Sequence, residues 1–183
     1  MSEAVSALAG KSSSGFVTVA EAGLQGMITL RADLSAPATA EAVRAVTGLD
    51  LPAPRRVTSG GTGAVLWMSP DELLILVPHA EAPAAVARLD ESLAGAHHLA
   101  VEVSDARALF TVTGAAATDA LRKLAPVDFD AMDADEVRRS RFAQVAAATW
   151  KSGADEWSVV CFRSVAAYVF GCLANAARSG SDL

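Results

Sequence analysis

The chain is 183 residues long, 52% hydrophobic and 20% charged, with a formal net charge of −6 at pH 7. That balance describes one folded domain, or two small halves sharing a core, and excludes a disordered chain. The acidic surplus argues against nucleic acid or an anionic membrane surface as the main partner, because both select basic patches.

Met1 to Gly15 lacks the basic start and apolar stretch of a secretory signal, and Ser12-Ser13-Ser14-Gly15 makes residues 1–15 read as a disordered lead-in. A first half is read over residues 16–104. Met27 to Leu34 alternates, with Ile28, Leu30 and Ala32 on one face and Thr29, Arg31 and Asp33 on the other, which predicts a half-buried strand. Ser35 is placed to cap the next helix, whose stripe of Ala42, Val43, Val46 and Leu49 loosens at Gly48. Leu51-Pro52-Ala53-Pro54 and Ser59-Gly60-Gly61-Thr62-Gly63 read as loop.

Ser69-Pro70-Asp71-Glu72 fits a helix start and also a four-residue turn. Its flanks, Ala64 to Trp67 and Leu73 to Val77, are strand-like and too short for helices, which selects a β-hairpin. Pro83 to Leu93 reads as an amphipathic helix with Val86, Leu89 and Leu93 inward, and Leu99, Val101 and Val103 mark a strand. The order β-α-β-β-α-β is ferredoxin-like.

A second half, residues 105–178, repeats that order: strand Arg107 to Thr113, helix Thr118 to Ala125, strand Phe142 to Trp150, strand Trp157 to Arg163 and helix Ser164 to Ala177. It lacks a final strand, which Phe16-Val17-Thr18-Val19 is placed to supply as an edge; residues 179–183 form a tail. The fold class is therefore α+β, two ferredoxin-like βαββα(β) halves related by internal duplication. The duplication is visible directly: Val65 to Leu73 is echoed by Ala148 to Trp157 with one residue inserted, and Ala38 to Arg44 by Ala117 to Arg122. A period of about eighty residues has the size of a supersecondary domain, not of a solenoid unit. Where the two halves differ most, the acids Asp128, Asp130, Asp133, Asp135 and Glu136, followed by Arg138, Arg139 and Arg141, read as a solvated loop or a docking contact.

No reactive constellation stands out. The Gly60 to Gly63 loop leads into a strand, where a dinucleotide or P-loop site would open a helix. Asp71-Glu72 and Asp155-Glu156 sit at hairpin tips, where turn chemistry accounts for them. His79, His97 and His98 lack helical metal-ligand spacing, and adjacent His97 and His98 point to opposite faces. Cys161 and Cys172 lie in apolar surroundings without a nearby histidine and are too few for a secreted disulfide scaffold, consistent with a reducing cytoplasm. The apolar stretch Val159 to Ala177, broken by Arg163 and Asn175, does not read as a membrane span. Mean hydropathy of +0.32 without a span hints at surface buried against another protein. Trp67 and Trp157 are core anchors or interface anchors; Arg141 and Arg163 are candidate interface charges, with Ser164 as a helix cap.

Several segments together resemble the γ subunits of the heterotetrameric sarcosine oxidases: Trp67-x-x-Pro70-Asp71-Glu72-x-Leu74, Val103-Ser104-Asp105-Ala106-Arg107, Thr113-Gly114-Ala115, Arg141-Phe142-Ala143-Gln144-Val145 and Arg163-Ser164-Val165-Ala166-Ala167-Tyr168. Ser140-Arg141 departs from the threonine-arginine expected there. The resemblance implies the folate-binding fold of the aminomethyltransferase (glycine cleavage T-protein) type. It further implies a cytoplasmic complex that oxidatively demethylates sarcosine to glycine and passes the one-carbon unit to tetrahydrofolate. FAD, FMN, NAD and tetrahydrofolate are then expected in the partner alpha, beta and delta subunits, with no cofactor, metal or catalytic residue in this chain. The alternative is a free-standing folate-dependent aminomethyl transferase, for which Glu102 and Asp105 are the carboxylates to examine.

Overall fold

Ile28, Leu30 and Ala32 share one face of a strand because side chains alternate along extended backbone, and all three are buried as the alternation predicts. The computed structural model describes residues 3–61 and 63–181, so Thr62 of the glycine-rich loop lies outside the described residues. The chain forms two compact units, residues 25–104 and residues 1–24 with 105–183. The first boundary thus falls at residue 25, and the segment before it belongs with the second half.

From the N-terminus, the first strands are β1 (Ser12–Ser14), β2 (Thr18–Glu21) and β3 (Gly26–Arg31). Helix α1, Pro37–Thr47, follows β3, with proline in its first turn and Gly48 (φ 71°) closing it through an N–H bond to the Arg44 carbonyl. Ser35 is not the cap: its amide and hydroxyl both donate to the Asp33 carboxylate, and Ala36 occupies the capping position without a side-chain bond. Then come β4 (Val57–Gly60), β5 (Gly63–Ser69), β6 (Glu72–Val77), α2 (Ala82–Ser92) and β7 (Leu99–Glu102). The sheet order is β4-β5-β6-β3-β7, all antiparallel, which is the ferredoxin-like order with β4 added at one edge. Segment 57–60, expected as loop, is that added strand.

One sheet face buries Ile28, Leu30, Val65, Leu73, Ile75 and Ala100 in a cluster with Val43 of α1 and Leu89 of α2. A fully buried leucine such as Leu89 contributes roughly 1.5–3 kcal/mol. On β7 the more apolar side chains lie on the outer face. Ala100 points inward, while Leu99 (54% exposed) and Val101 (40%) are outside.

The other unit holds β8 (Arg107–Thr113), α3 (Ala117–Arg122), β9 (Val137–Phe142), β10 (Val145–Gly153), β11 (Glu156–Phe162) and α4 (Ala166–Ala176). Its sheet order is β1-β2-β8-β11-β10-β9. Three differences from the sequence reading stand out. Residues 12–14, read as disordered, form β1 and pair with β2, so β2, read as an edge, is interior. The expected strand from Phe142 to Trp150 is two strands joined through Ala143 (φ 51°). The arginine-rich end of the expected charged loop is β9, and Glu136 just before it is buried against Arg138 Nε at 2.8 Å. The tail is fastened at Ser181, whose hydroxyl donates to the Ala176 carbonyl at 3.1 Å. The core gathers Phe110, Val112, Leu121, Phe142, Val159 and Leu173, among others.

The units repeat each other strand for strand: β3, α1, β4, β5, β6 and α2 correspond to β8, α3, β9, β10, β11 and α4, while β7 corresponds to β2, taken from the other end of the chain. The correspondence extends to single bonds. Ala32 N–H donates to the Asp71 carbonyl (3.1 Å) as Gly114 N–H donates to that of Asp155 (2.8 Å). Trp67 lies opposite Leu73 and Lys151 opposite Trp157, with a bulge following in each case. Trp67 therefore matches Lys151, and the insertion expected between the repeats disappears.

Glu21, at the end of β2, ties down the N-terminal segment. Its carboxylate accepts from Ser6 Oγ (2.8 Å), Leu8 N–H (3.0 Å) and Gly10 N–H (2.7 Å). Burial pushes this carboxyl upward, but the donors, Gly10 foremost, outweigh it and hold it below the ordinary carboxylate value. A lowered folded-state value stabilises above the ordinary carboxylate range and stops stabilising as pH falls through it. Glu21→Gln should therefore cost about 1–3 kcal/mol at pH 7 in urea unfolding, with the gap to the parent chain narrowing in acid. A gap unchanged by pH would remove Glu21 from this role.

Candidate functional site

The loop that ends β3, the tip of the β5–β6 hairpin and the lead into β7 meet around a cavity of about 630 Å³ lined by Arg31, Asp33, Asp71, His97, His98 and Leu99. Extended backbone carries Arg31 to the strand end, where it reaches Asp71 Oδ2 at 2.8 Å and Glu72 Oε2 at 3.1 Å. Asp71 also accepts from Ser69 Oγ at 2.6 Å, and that hydroxyl, assisted by Arg31, holds its carboxyl below the usual range. Ser152 Oγ donates to Glu156 at 2.9 Å at the matching hairpin. The turn chemistry read for both acid pairs thus includes an ion pair only in the first copy, where Arg31 stands at the position matched by Thr113. His98 sets Nδ1 3.0 Å from the Ala96 carbonyl and Nε2 3.1 Å from Asp90.

Within this lining Arg31 and Asp71 pair with each other, while Asp33 accepts from Ser35 and His98 faces Asp90. No group of three or more His, Cys, Asp or Glu residues able to hold a metal occurs among the described residues. Sequence reasoning singled out Asp71, His97 and His98 one by one but did not bring them together, because the lining comes from three segments more than twenty positions apart.

The two carboxylates considered for a transferase do not converge on this cavity. Glu102 accepts from Ser104 Oγ at 2.9 Å, and Asp105 is 90% exposed, 4.0 Å from Arg163. Of the four interface candidates, Trp157 is buried in its unit's core, edge-on to Phe129 with ring centroids 5.2 Å apart. Arg163 donates to the carbonyls of Val5 (2.9 Å) and Ser6 (3.3 Å), and Ser164, expected as a helix cap, lies within a single 3₁₀ turn without a capping bond. Trp67 is half-buried and Arg141 exposed. The larger apolar side chains left exposed include Leu99, Val101, Phe162 and Tyr168. No helix among the described residues is long and apolar enough to cross a membrane.

The chain is a duplicated ferredoxin-like α+β protein with apolar side chains such as Leu99 and Phe162 on its surface. A sarcosine oxidase subunit gamma from Arthrobacter sp. is 29% identical over 159 residues, covering 84% of this chain and 76% of that one. The heterotetrameric sarcosine oxidase from Corynebacterium sp. U-96, in complex with pyrrole 2-carboxylate, contains a chain that matches with a TM-score of 0.80 at 26% identity, over 90% of this chain and 86% of that one. The glycine cleavage system aminomethyltransferase T from Bartonella henselae matches with a TM-score of 0.65 at 13% identity, over 87% of this chain and 45% of that one, which shows the shared fold alone. The family described as sarcosine oxidase, gamma subunit, matches residues 31–179, and the chain belongs to it.

Two measurements separate core residues from surface ones. Trp157→Ala should lower stability by about 3–5 kcal/mol, and Trp67→Ala by clearly less; equal losses in denaturant titrations would contradict the placement of Trp157. Burial pushes the Cys161 thiol up to about 11, against the countervailing pull of Arg107. In native protein at pH 8 a thiol reagent should therefore modify half-buried Cys172 and spare Cys161, with both reacting in denaturant. Rapid native labelling of Cys161, located by peptide mass, would show its pocket to be open.

Proposed function

We propose that this chain is a non-catalytic gamma subunit of a sarcosine oxidase complex, one that oxidatively demethylates sarcosine to glycine and passes the one-carbon unit to tetrahydrofolate. The observation that carries the reading is the match along 90% of the chain to part of a heterotetrameric sarcosine oxidase, joined to family membership over residues 31–179. The geometry is compatible with it, since Arg31 at the cavity is engaged by Asp71 and Glu72. In this reading the larger alpha and beta subunits and the delta subunit are the partners, and FAD, FMN, NAD and tetrahydrofolate reside in them. The assembly works in the cytoplasm, where two free cysteines stay reduced. The mechanism is physical: the subunit presents surface to a larger one and stabilises its position, through an interface of more than about 1,000 Å² if permanent.

Co-expression of the tagged chain with its partner subunits tests this. The chain should retain a yellow, flavin-bearing complex, and the chain expressed alone should show no flavin absorbance. A chain that carries flavin by itself, or retains no partner, would sink the proposal. Micromolar binding of a reduced folate by the isolated chain, measured calorimetrically, would favour the transferase instead.

A further inference from the structure

The internal duplication shows what one open edge of the protein is built to take. Leu99-Ala100-Val101-Glu102 of β7 occupies the place that Thr18-Val19-Ala20-Glu21 of β2 occupies in the other unit: Leu99 pairs with Arg31 as Thr18 pairs with Thr113, and Glu102 with Ile28 as Glu21 with Phe110. The next bonds agree, Val103 N–H to the Met27 carbonyl (2.7 Å) and Ala22 N–H to that of Leu109 (2.9 Å). Antiparallel ladders turn alternate residues outward, so the outward backbone groups are those of Val19 and Glu21 in one copy and of Ala100 and Glu102 in the other.

On β2 that outer edge is filled. Glu21 N–H donates to the Lys11 carbonyl at 2.8 Å, β1 pairs antiparallel with β2 from Ser12 to Ser14, and the Glu21 carboxylate collects the Leu8 and Gly10 amides just upstream. In the unit of residues 25–104 β7 ends the sheet, with no further strand among the described residues. Its glutamate accepts from the Ser104 hydroxyl at 2.9 Å, and beside it Leu99 and Val101 are 54% and 40% exposed. An unpaired edge bearing apolar side chains is the kind that proteins otherwise shield by charge, bulge or cover.

We propose that β7 is a strand-addition site, and that its occupant is a short extended segment of a larger subunit of the complex. The segment pairs antiparallel with Ala100 to Glu102, sets apolar side chains against Leu99 and Val101, and offers backbone amides to the Glu102 carboxylate, as residues 8–14 do for β2 and Glu21. The inference rests on the reading of the chain as a complex subunit. Backbone bonds supply the affinity in this mode, and the side chains of one face supply the selection. A second copy of this chain is the poorer occupant, because each copy carries a net charge of −6 and would bring its own Glu102 to the shared seam.

Hydrogen exchange of the full chain, free and in the co-expressed complex, tests this directly. The Ala100 and Glu102 amides should exchange at least about tenfold more slowly in the complex, the change expected from one good hydrogen bond. Glu102→Pro removes an outward amide without touching the bonds to β3, and should weaken retention of the partner subunits about tenfold or more, while its melting curve stays close to the parent's. A complex that forms with these amides exchanging as in the free chain overturns the inference and leaves the subunit reading standing. Failure of the parent chain to assemble with any partner removes both. Protection already present in the free chain, with a dimer by sedimentation, overturns the inference in favour of a second copy.

Discussion

Each unit is organised by one strand that must be paired on both sides. In the unit of residues 25–104 that strand is β3, held between β6 and β7; in the other it is β8, held between β11 and β2. A central strand has no backbone group free for water, so its two neighbours are obligatory. Where the strand ends, the next amide, Ala32 or Gly114, is taken up by the carbonyl of the hairpin aspartate, Asp71 or Asp155. That bond fixes the hairpin tip against the turn into the first helix, which is how Arg31 comes within reach of Asp71 and Glu72. The cavity beside them follows from the fold's own closure.

The same obligation explains the order of the chain. The second copy, read from Arg107, runs out after α4 without a strand for the far side of β8, and β2 from the N-terminal end supplies it. Residues 1–24 therefore belong to the unit completed by residues 105–183. The arrangement makes a short polar segment structurally necessary: Glu21 is buried only because the amides of residues 8 and 10 and the Ser6 hydroxyl surround its carboxylate. A buried carboxylate without such donors would be strongly unfavourable.

Much of this was legible in the sequence. The alternation at Met27 to Leu34, the amphipathic run of Pro83 to Leu93 and the echoed hairpins give the α+β class, the duplication and the ferredoxin-like order, and the need for a strand near Thr18 follows from counting. The misreadings have physical causes. Strands β4 and β9 carry Thr58, Ser59 and the arginines 138, 139 and 141 because edge strands tolerate, and benefit from, polar and charged residues; composition alone makes them look like loops. The turn at Ala143 contains neither glycine nor asparagine, so nothing marked the break. On β7, Leu99 and Val101 are more apolar than Ala100, yet it is Ala100 that faces the core shared with Leu89 of α2. The cavity residues were unreadable as a group because three distant segments build it.

The outward placement of Leu99 and Val101 on β7 bears on the proposed role. Had burial within one unit been the only pressure, the larger side chains would lie inward and alanine outward. The arrangement is the opposite at a strand whose counterpart in the other copy, β2, is covered on its open side by β1. Duplication supplied two equivalent edges; this chain closes one with its own N-terminal segment and leaves apolar side chains along the other. The asymmetry leaves one sheet edge whose backbone groups and neighbouring apolar side chains, Leu99 and Val101, gain by being covered, while its counterpart is already satisfied within the chain.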